Sequence, residues 1–314
     1  MMKMKELISN AKLVRAPEAA ESISVWTDYC ELQCLVADGQ RIDQDQLGSI
    51  VLKADDFSKS SEIKLKNKKE RLTTVFRDVY DHVNLRKKLL DDKYPFGIDR
   101  DGQLCIDSGV LTSLNKLYIL LLYASNLGYM QSTSNLTSDF EVVSLLYMRK
   151  LFPSMTFKLF GSSNTNGFLQ ADDVINDVKL KDRIVSLSKF ISVDYIDNVV
   201  NGLPSNNHGD GGLDLVGVRN MGDERISIPV IFGQCACSPE QWSIKQQTIG
   251  DSYWKKYLYT WETSFQRYIF IPIWYMNSEK QFENELKITE CVVVDRLRLM
   301  NMADDSFITK CGSL

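Results

Sequence analysis

Two short apolar runs, LDLVGV at 213–218 and IPVIFGQCAC at 228–237, constrain this chain more than any other feature. Each has the length of a strand, and the polar RNMGDERIS between them reads as the link of an antiparallel hairpin. Side chains alternate along a strand, so Gln234, Ala236 and Ser238 share one face while Cys235 and Cys237 share the other. An acid, Asp214, opens the first run, and the amide of Gln234 sits near the end of the second. If both point to one side of the hairpin, their oxygens converge on a single small cation. Magnesium suits so sparse a site, because it takes carboxylate and carbonyl oxygens and keeps several waters.

The surrounding pattern fits such a hairpin into a layered α/β fold. SNLTSDFEVVSLLYMRKLFPS starts with helix-capping residues and is bounded by Pro153. MTFKLFG reads as a strand, and one or two inserted helices occupy about 161–205. SPEQWSIKQQTIGDSYWKKYLYTWETSF reads as helix, and RYIFIPIWY and CVVVDRL as later strands of the same sheet. The order predicts a mixed central sheet flanked by helices over 131–314, preceded by a mainly helical region over 1–130.

Composition excludes several classes. The longest strongly apolar stretch, 117–124, is far shorter than the roughly 20 residues of a membrane span, and the N-terminal segment has no apolar h-region. These features predict a cytoplasmic chain with no membrane partner. Seven cysteines with no framework spacing, and only His82 and His208 as histidines, point to reduced thiols and not to a zinc site.

The net charge of −4 advertises no blanket nucleic-acid surface. Its distribution says more: ten Lys or Arg stand against four Asp or Glu between 59 and 88. There Leu72, Val75, Phe76, Val79 and Val83 form a helical apolar stripe, with Arg77, Arg86, Lys87 and Lys88 largely off it. The basic face is either solvated surface or a phosphate-tracking one.

The segment GDGGLDLVGV…IPVIFGQCACSPEQWSIKQ resembles the PD-(D/E)XK nucleases, in which an Asp opens one strand and an acid-or-Gln, any residue, then Lys follow on the next. The resemblance covers roughly 137–300 and implies a restriction-endonuclease-like core. It matches Asp214 to the metal-binding Asp, Gln234 to the acid-or-Gln position and Glu141 to the Glu of the first core helix. Ala236 stands where the motif has Lys, and Lys245 in the following helix is the candidate replacement.

The implied activity is Mg²⁺- or Mn²⁺-dependent hydrolysis of DNA phosphodiesters, of the restriction or anti-phage kind. Asp214, Gln234 and Glu141 would be the metal ligands and Lys245 the cation at the phosphate. DNA would be the substrate, with a homodimer and a defence partner protein compatible with it. The alternative is a non-catalytic module binding DNA or protein on the same fold. Simpler roles stand beside these: a helix N-terminal acid for Glu141, a solvated helix lysine for Lys245 and a backbone-bonding turn residue for Asp210.

Overall fold

The computed structural model describes residues 13, 15–18, 21–54, 62–107, 110–130, 135–161, 169, 171, 173–223, 225, 227–259 and 265–310. These gather into two compact units, one reaching Ser134 and including Ile273–Glu283, the other formed by Asn135–Pro272 and Asn284–Ser313. No helix among the described residues is long and apolar enough to cross a membrane.

In the first unit, helix α1 (Ile23–Val36) leads into the short strand β1 (Arg41–Ile42) and then α2 (Gln44–Ala54) and α3 (Glu62–Leu90). A hairpin follows, β2 (Phe96–Ile98) and β3 (Leu104–Ile106), in a region whose sequence reads as mainly helical. Its turn is built locally: Asp99 Oδ1 accepts from the N–H groups of Asp101 and Gln103, and Gly102 takes φ +76°. Helix α4 (Ser113–Ser125) starts on a Thr112–Asn115 capping box, and Leu117–Ala124 are all buried.

Of the basic stripe, Phe76, Val79 and Val83 are buried as expected, while the Leu72 side chain lies outside the described residues. Arg86 departs from the expected outer face: it is fully buried. Its guanidinium donates to Asp28 Oδ1 at 2.6 Å and Glu31 Oε1 at 2.8 Å, both on α1, and lies over the Trp274 ring. The helical repeat that exposes Arg77 turns Arg86 inward, onto the same side as Phe76, Val79 and Val83. The arginine is thus part of the core and not of a phosphate surface.

The second unit is an α/β layer with a mixed sheet. Among its described residues, six strands lie in the order β5-β4-β6-β7-β8-β9: β4 (Thr156–Phe160), β5 (Val174–Ile175), β6 (Leu215–Val218), β7 (Val230–Cys235), β8 (Gln266–Phe270) and β9 (Val292–Val294). β4, β6 and β7 are antiparallel neighbours, whereas β8 runs parallel to β7 and β9 parallel to β8. Helix α5 (Leu136–Leu151) packs on β4 and β7.

The segment between β4 and β6 holds α6 (Leu180–Ile191) and α7 (Asp197–Asn201), but also β5, so it is not wholly helical. Gly217 in LVGV has a packing reason: a Cβ there would collide with the Phe157 ring of the neighbouring strand. The stretch after β7 is shorter in its helices than its sequence suggests, with single turns α8 (Trp242–Lys245) and α9 (Asp251–Trp254) separated by a 3₁₀ turn. Helices α10 (Arg296–Met302) and α11 (Asp305–Lys310) close the unit.

Candidate functional site

The β6–β7 register pairs Leu215 with Gly233, so one step further Asp214 lies opposite Gln234. Opposed residues of antiparallel strands project to one side, and the two side chains do meet. Asp214 is 7% exposed; its Oδ2 accepts from Gln234 Nε2 at 2.5 Å and from the Cys235 N–H at 2.6 Å. The sequence expectation had the Gln oxygen facing a cation together with the carboxylate. Instead the amide NH₂ faces Asp214, and Oε1 lies 3.1 Å from the Thr248 hydroxyl. To ligate a metal through oxygen, Gln234 would have to turn its amide over and give up both contacts.

Thr248 comes from the 3₁₀ turn after α8, and sequence reading did not find it. Its hydroxyl lies 2.7–3.1 Å from Lys245 O, Gly212 O and Gln234 Oε1, and having one proton it donates to one of these at a time. The fully buried Trp254 donates its indole N–H to Thr248 O, which fixes the turn. Gly212, at φ +76°, is where this turn approaches the HGDGG segment, and a Cβ there would strike the Thr248 side chain. No local sequence signal links residues 36 positions apart in this way.

Two buried acids are raised here, with Asp210 contributing to both. Burial pushes Glu141, in the second turn of α5, up to about 7, with Asp210 adding to the rise and Lys245 opposing it. Burial also holds Asp214 well above the carboxylate range, helped by Glu141 and Asp210 and opposed by the Cys235 N–H and Lys245. Lys245, the last residue of α8, is half-buried, and its charge also lowers the Cys237 thiol against the burial that raises it to about 12. Glu141, Asp214 and Lys245 thus belong to one electrostatic cluster around Gln234. Asp210 Oδ1 accepts from Gly212 N at 2.7 Å, the turn role its position suggests, yet its charge reaches the same cluster. His208 is exposed, with Nδ1 3.1 Å from Val178 O.

The donor set suits a hard cation in charge: the carboxyls resist ionising together, and a cation would relieve them. Its geometry suits only a sparse site, since no three His, Cys, Asp or Glu among the described residues gather closely enough to hold a metal ion. Glu141 and Asp214 are the residues that would hold it, with waters filling the remaining positions.

A pH dependence follows. Because the folded-state pKa values of Glu141 and Asp214 are raised, their contribution to stability is fully present below the unfolded carboxylate range. It is lost as pH rises, through about 7 for Glu141. Mg²⁺ needs the ionised forms, so its thermal stabilisation should be small at pH 5.5 and large at pH 8. Melting curves with and without Mg²⁺ at both values check this. Equal shifts, or shifts that survive Glu141→Gln together with Asp214→Asn, would remove these residues as ligands.

Of the basic residues singled out in sequence, Arg77 and Lys88 are exposed, Lys87 is ion-paired with Asp107 at 2.7 Å, and Arg86 is buried. Fold and site together define an α/β protein with a mixed sheet and a buried acid–amide pair at the ends of its central strands. Set against known protein families, curated proteins and solved structures, the chain matches none.

Proposed function

We propose that the second unit is a metal-dependent endonuclease hydrolysing DNA phosphodiesters, with a restriction-endonuclease-like core. The observation that carries this reading is the buried Asp214 just before β6, facing Gln234 near the end of β7 and raised by burial and by Glu141 against the opposing charge of Lys245. The sheet supports it as well: after α5, strands β4, β6 and β7 are antiparallel neighbours and β8 lies parallel to β7, with β5, α6 and α7 inserted between β4 and β6 and the turns α8 and α9 between β7 and β8.

Asp214 and Glu141 would bind Mg²⁺, which when bound lowers the pKa of a water and neutralises charge on the phosphate. Glu141, ionised when it holds the ion, would orient the attacking water, whose proton passes to solvent. The water oxygen bonds to phosphorus as one P–O ester bond breaks, and the leaving oxygen takes up a proton. Lys245 supplies positive charge where the phosphate becomes more negative. Gln234 and the Cys235 N–H hold the Asp214 carboxylate in place.

Purified protein with supercoiled plasmid should nick it only when Mg²⁺ or Mn²⁺ is added. Lys245→Ala should bind DNA as the wild type does and cut about a hundredfold more slowly, a loss of ~2.7 kcal/mol of transition-state stabilisation. Unchanged cutting would return Lys245 to the solvated surface.

A second reading, a binding module without cleavage, is favoured by Ala236 in the motif's lysine place and by the Gln234 amide that occupies Asp214 Oδ2. It takes over if no DNA or RNA is cut under any metal condition.

A further inference from the structure

The second unit presents a turn that the nuclease reading does not use. Between β8 and β9 the chain makes a 3₁₀ turn, Glu285–Lys287, capped by Asn284, whose side chain accepts from the Leu286 N–H at 3.0 Å. Leu286 is 93% exposed, the highest value of any large apolar side chain among the described residues.

The turn that carries it is anchored. Gln246, buried, donates from Nε2 to Lys287 O at 2.7 Å, and its Oε1 accepts from the Thr289 N–H at 3.0 Å and the Thr289 hydroxyl at 3.1 Å. Gln246 follows α8 directly, and two residues before it stands Ile244, itself 67% exposed. One buried amide therefore ties together the two backbone segments that carry these apolar side chains. Single exposed leucines scattered over a surface need no explanation. Two exposed apolar residues on adjoining, hydrogen-bonded segments make a spot that needs little ordering before it meets a partner.

Charge selects the partner. A 3₁₀ turn has three residues per turn, so successive side chains leave it about 120° apart. With Leu286 directed to solvent, Glu285 and Lys287 fall on opposite sides of it. Both are exposed, and neither is ion-paired among the described residues. The pattern across the spot is acid, apolar, base. Turned by half a revolution about an axis through Leu286 it becomes base, apolar, acid, which is its own complement. An identical turn so placed sets leucine on leucine and forms two Glu285–Lys287 pairs, the isologous contact of a two-fold dimer. A polyanion would satisfy the lysine and be repelled by the glutamate.

We infer that the Glu285–Leu286–Lys287 turn, with Ile244 beside it, is a self-association surface that joins two copies of this chain about a two-fold axis. Few residues per copy take part, against the roughly 20–30 a side of a standard stable interface, so the dimer is weak and forms as concentration rises. The inference is independent of whether the unit binds metal or cleaves DNA.

The test is sedimentation velocity on the full-length chain. The expected result is a monomer–dimer equilibrium within about 1–300 µM protein. Leu286→Asp should remain monomeric throughout that range. Glu285→Lys and Lys287→Glu, each alone, leave like charges facing across the axis and should weaken the dimer about tenfold or more. The double variant Glu285→Lys with Lys287→Glu is self-complementary again and should associate as the wild type does. An equimolar mixture of the two single variants should associate more strongly than either alone, because their turns complement each other and not themselves. Raising the salt should weaken the wild-type dimer and relieve the repulsion within each single variant. Melting temperatures equal to wild type establish that these surface variants are folded. A wild type that stays monomeric over the whole range, a dimer that survives Leu286→Asp, or a mixture no more associated than its components would each overturn the assignment.

Discussion

Arg86→Ala should be the most destabilising single substitution in the first unit. The guanidinium is fully buried and contacts Asp28 Oδ1, Glu31 Oε1 and the Tyr118 hydroxyl at 2.6–3.0 Å, with the Ser24 carbonyl at 3.2 Å. Tyr94 donates to Glu31 Oε1 and Tyr118 to Glu31 Oε2, so the acid is held from several directions. Removing the arginine leaves two carboxylates in the core without their cation, which costs about 3–5 kcal/mol, and opens a cavity below Trp274. Urea unfolding, with hydrogen exchange reporting α1 and α3, measures the loss. The charges themselves need not stabilise the fold: Arg86→Met with Asp28→Asn and Glu31→Gln should recover much of it. If Arg86→Ala unfolds at the wild-type urea concentration, the buried network is not what joins these helices.

That network also shows where sequence reasoning stops. Phe76, Val79 and Val83 announce a helical core stripe, and the stripe is there. Arg86 lies three residues beyond Val83, but its charge makes it look like surface. What makes it core is a pair of acids 55 and 58 positions earlier, and no local pattern joins them. The β2–β3 hairpin was more accessible: IDRDGQ carries a polar Asp–Gly turn between short apolar runs, a signal that the abundance of helix around it hides. β1 and β5 are two residues each, too short for any periodicity.

The site divides in the same way. Strand alternation and the hairpin link place Asp214 across from Gln234, because a period of two leaves little freedom once the pairing is fixed. The direction of the Gln234 amide was not legible. It is set by Thr248, which arrives from the turn after α8, and by the Cys235 N–H that shares Asp214 Oδ2 with the Gln amine. Glu141 and Lys245 come from separate helices, and the resemblance to a nuclease motif, not local spacing, pointed to them. In the fold, Lys245 opposes the burial that raises Glu141, and both act on Asp214.

Asp214→Asn separates the two uses of this residue and should move them in opposite directions. The asparagine oxygen can still accept from Cys235 N and Gln234 Nε2, so the strand ends should stay as they are. The buried carboxylate, by contrast, is an expense to the metal-free fold above its raised pKa, where burial and the neighbouring Glu141 and Asp210 oppose its charge. Without metal at alkaline pH the Asn variant should therefore melt higher than wild type. With Mg²⁺ the order should reverse, because the wild type gains ligand stabilisation and the variant does not. Plasmid cleavage should fall by at least about a thousandfold, roughly 4 kcal/mol of transition-state stabilisation. Calorimetry with and without Mg²⁺, alongside nicking rates, reads all three effects. If the variant melts lower in both conditions, Asp214 is a structural anchor whose charge the fold tolerates. If it cuts as fast as wild type, the metal does not sit on this carboxylate, and the chemistry assigned to the end of β6 has to move elsewhere.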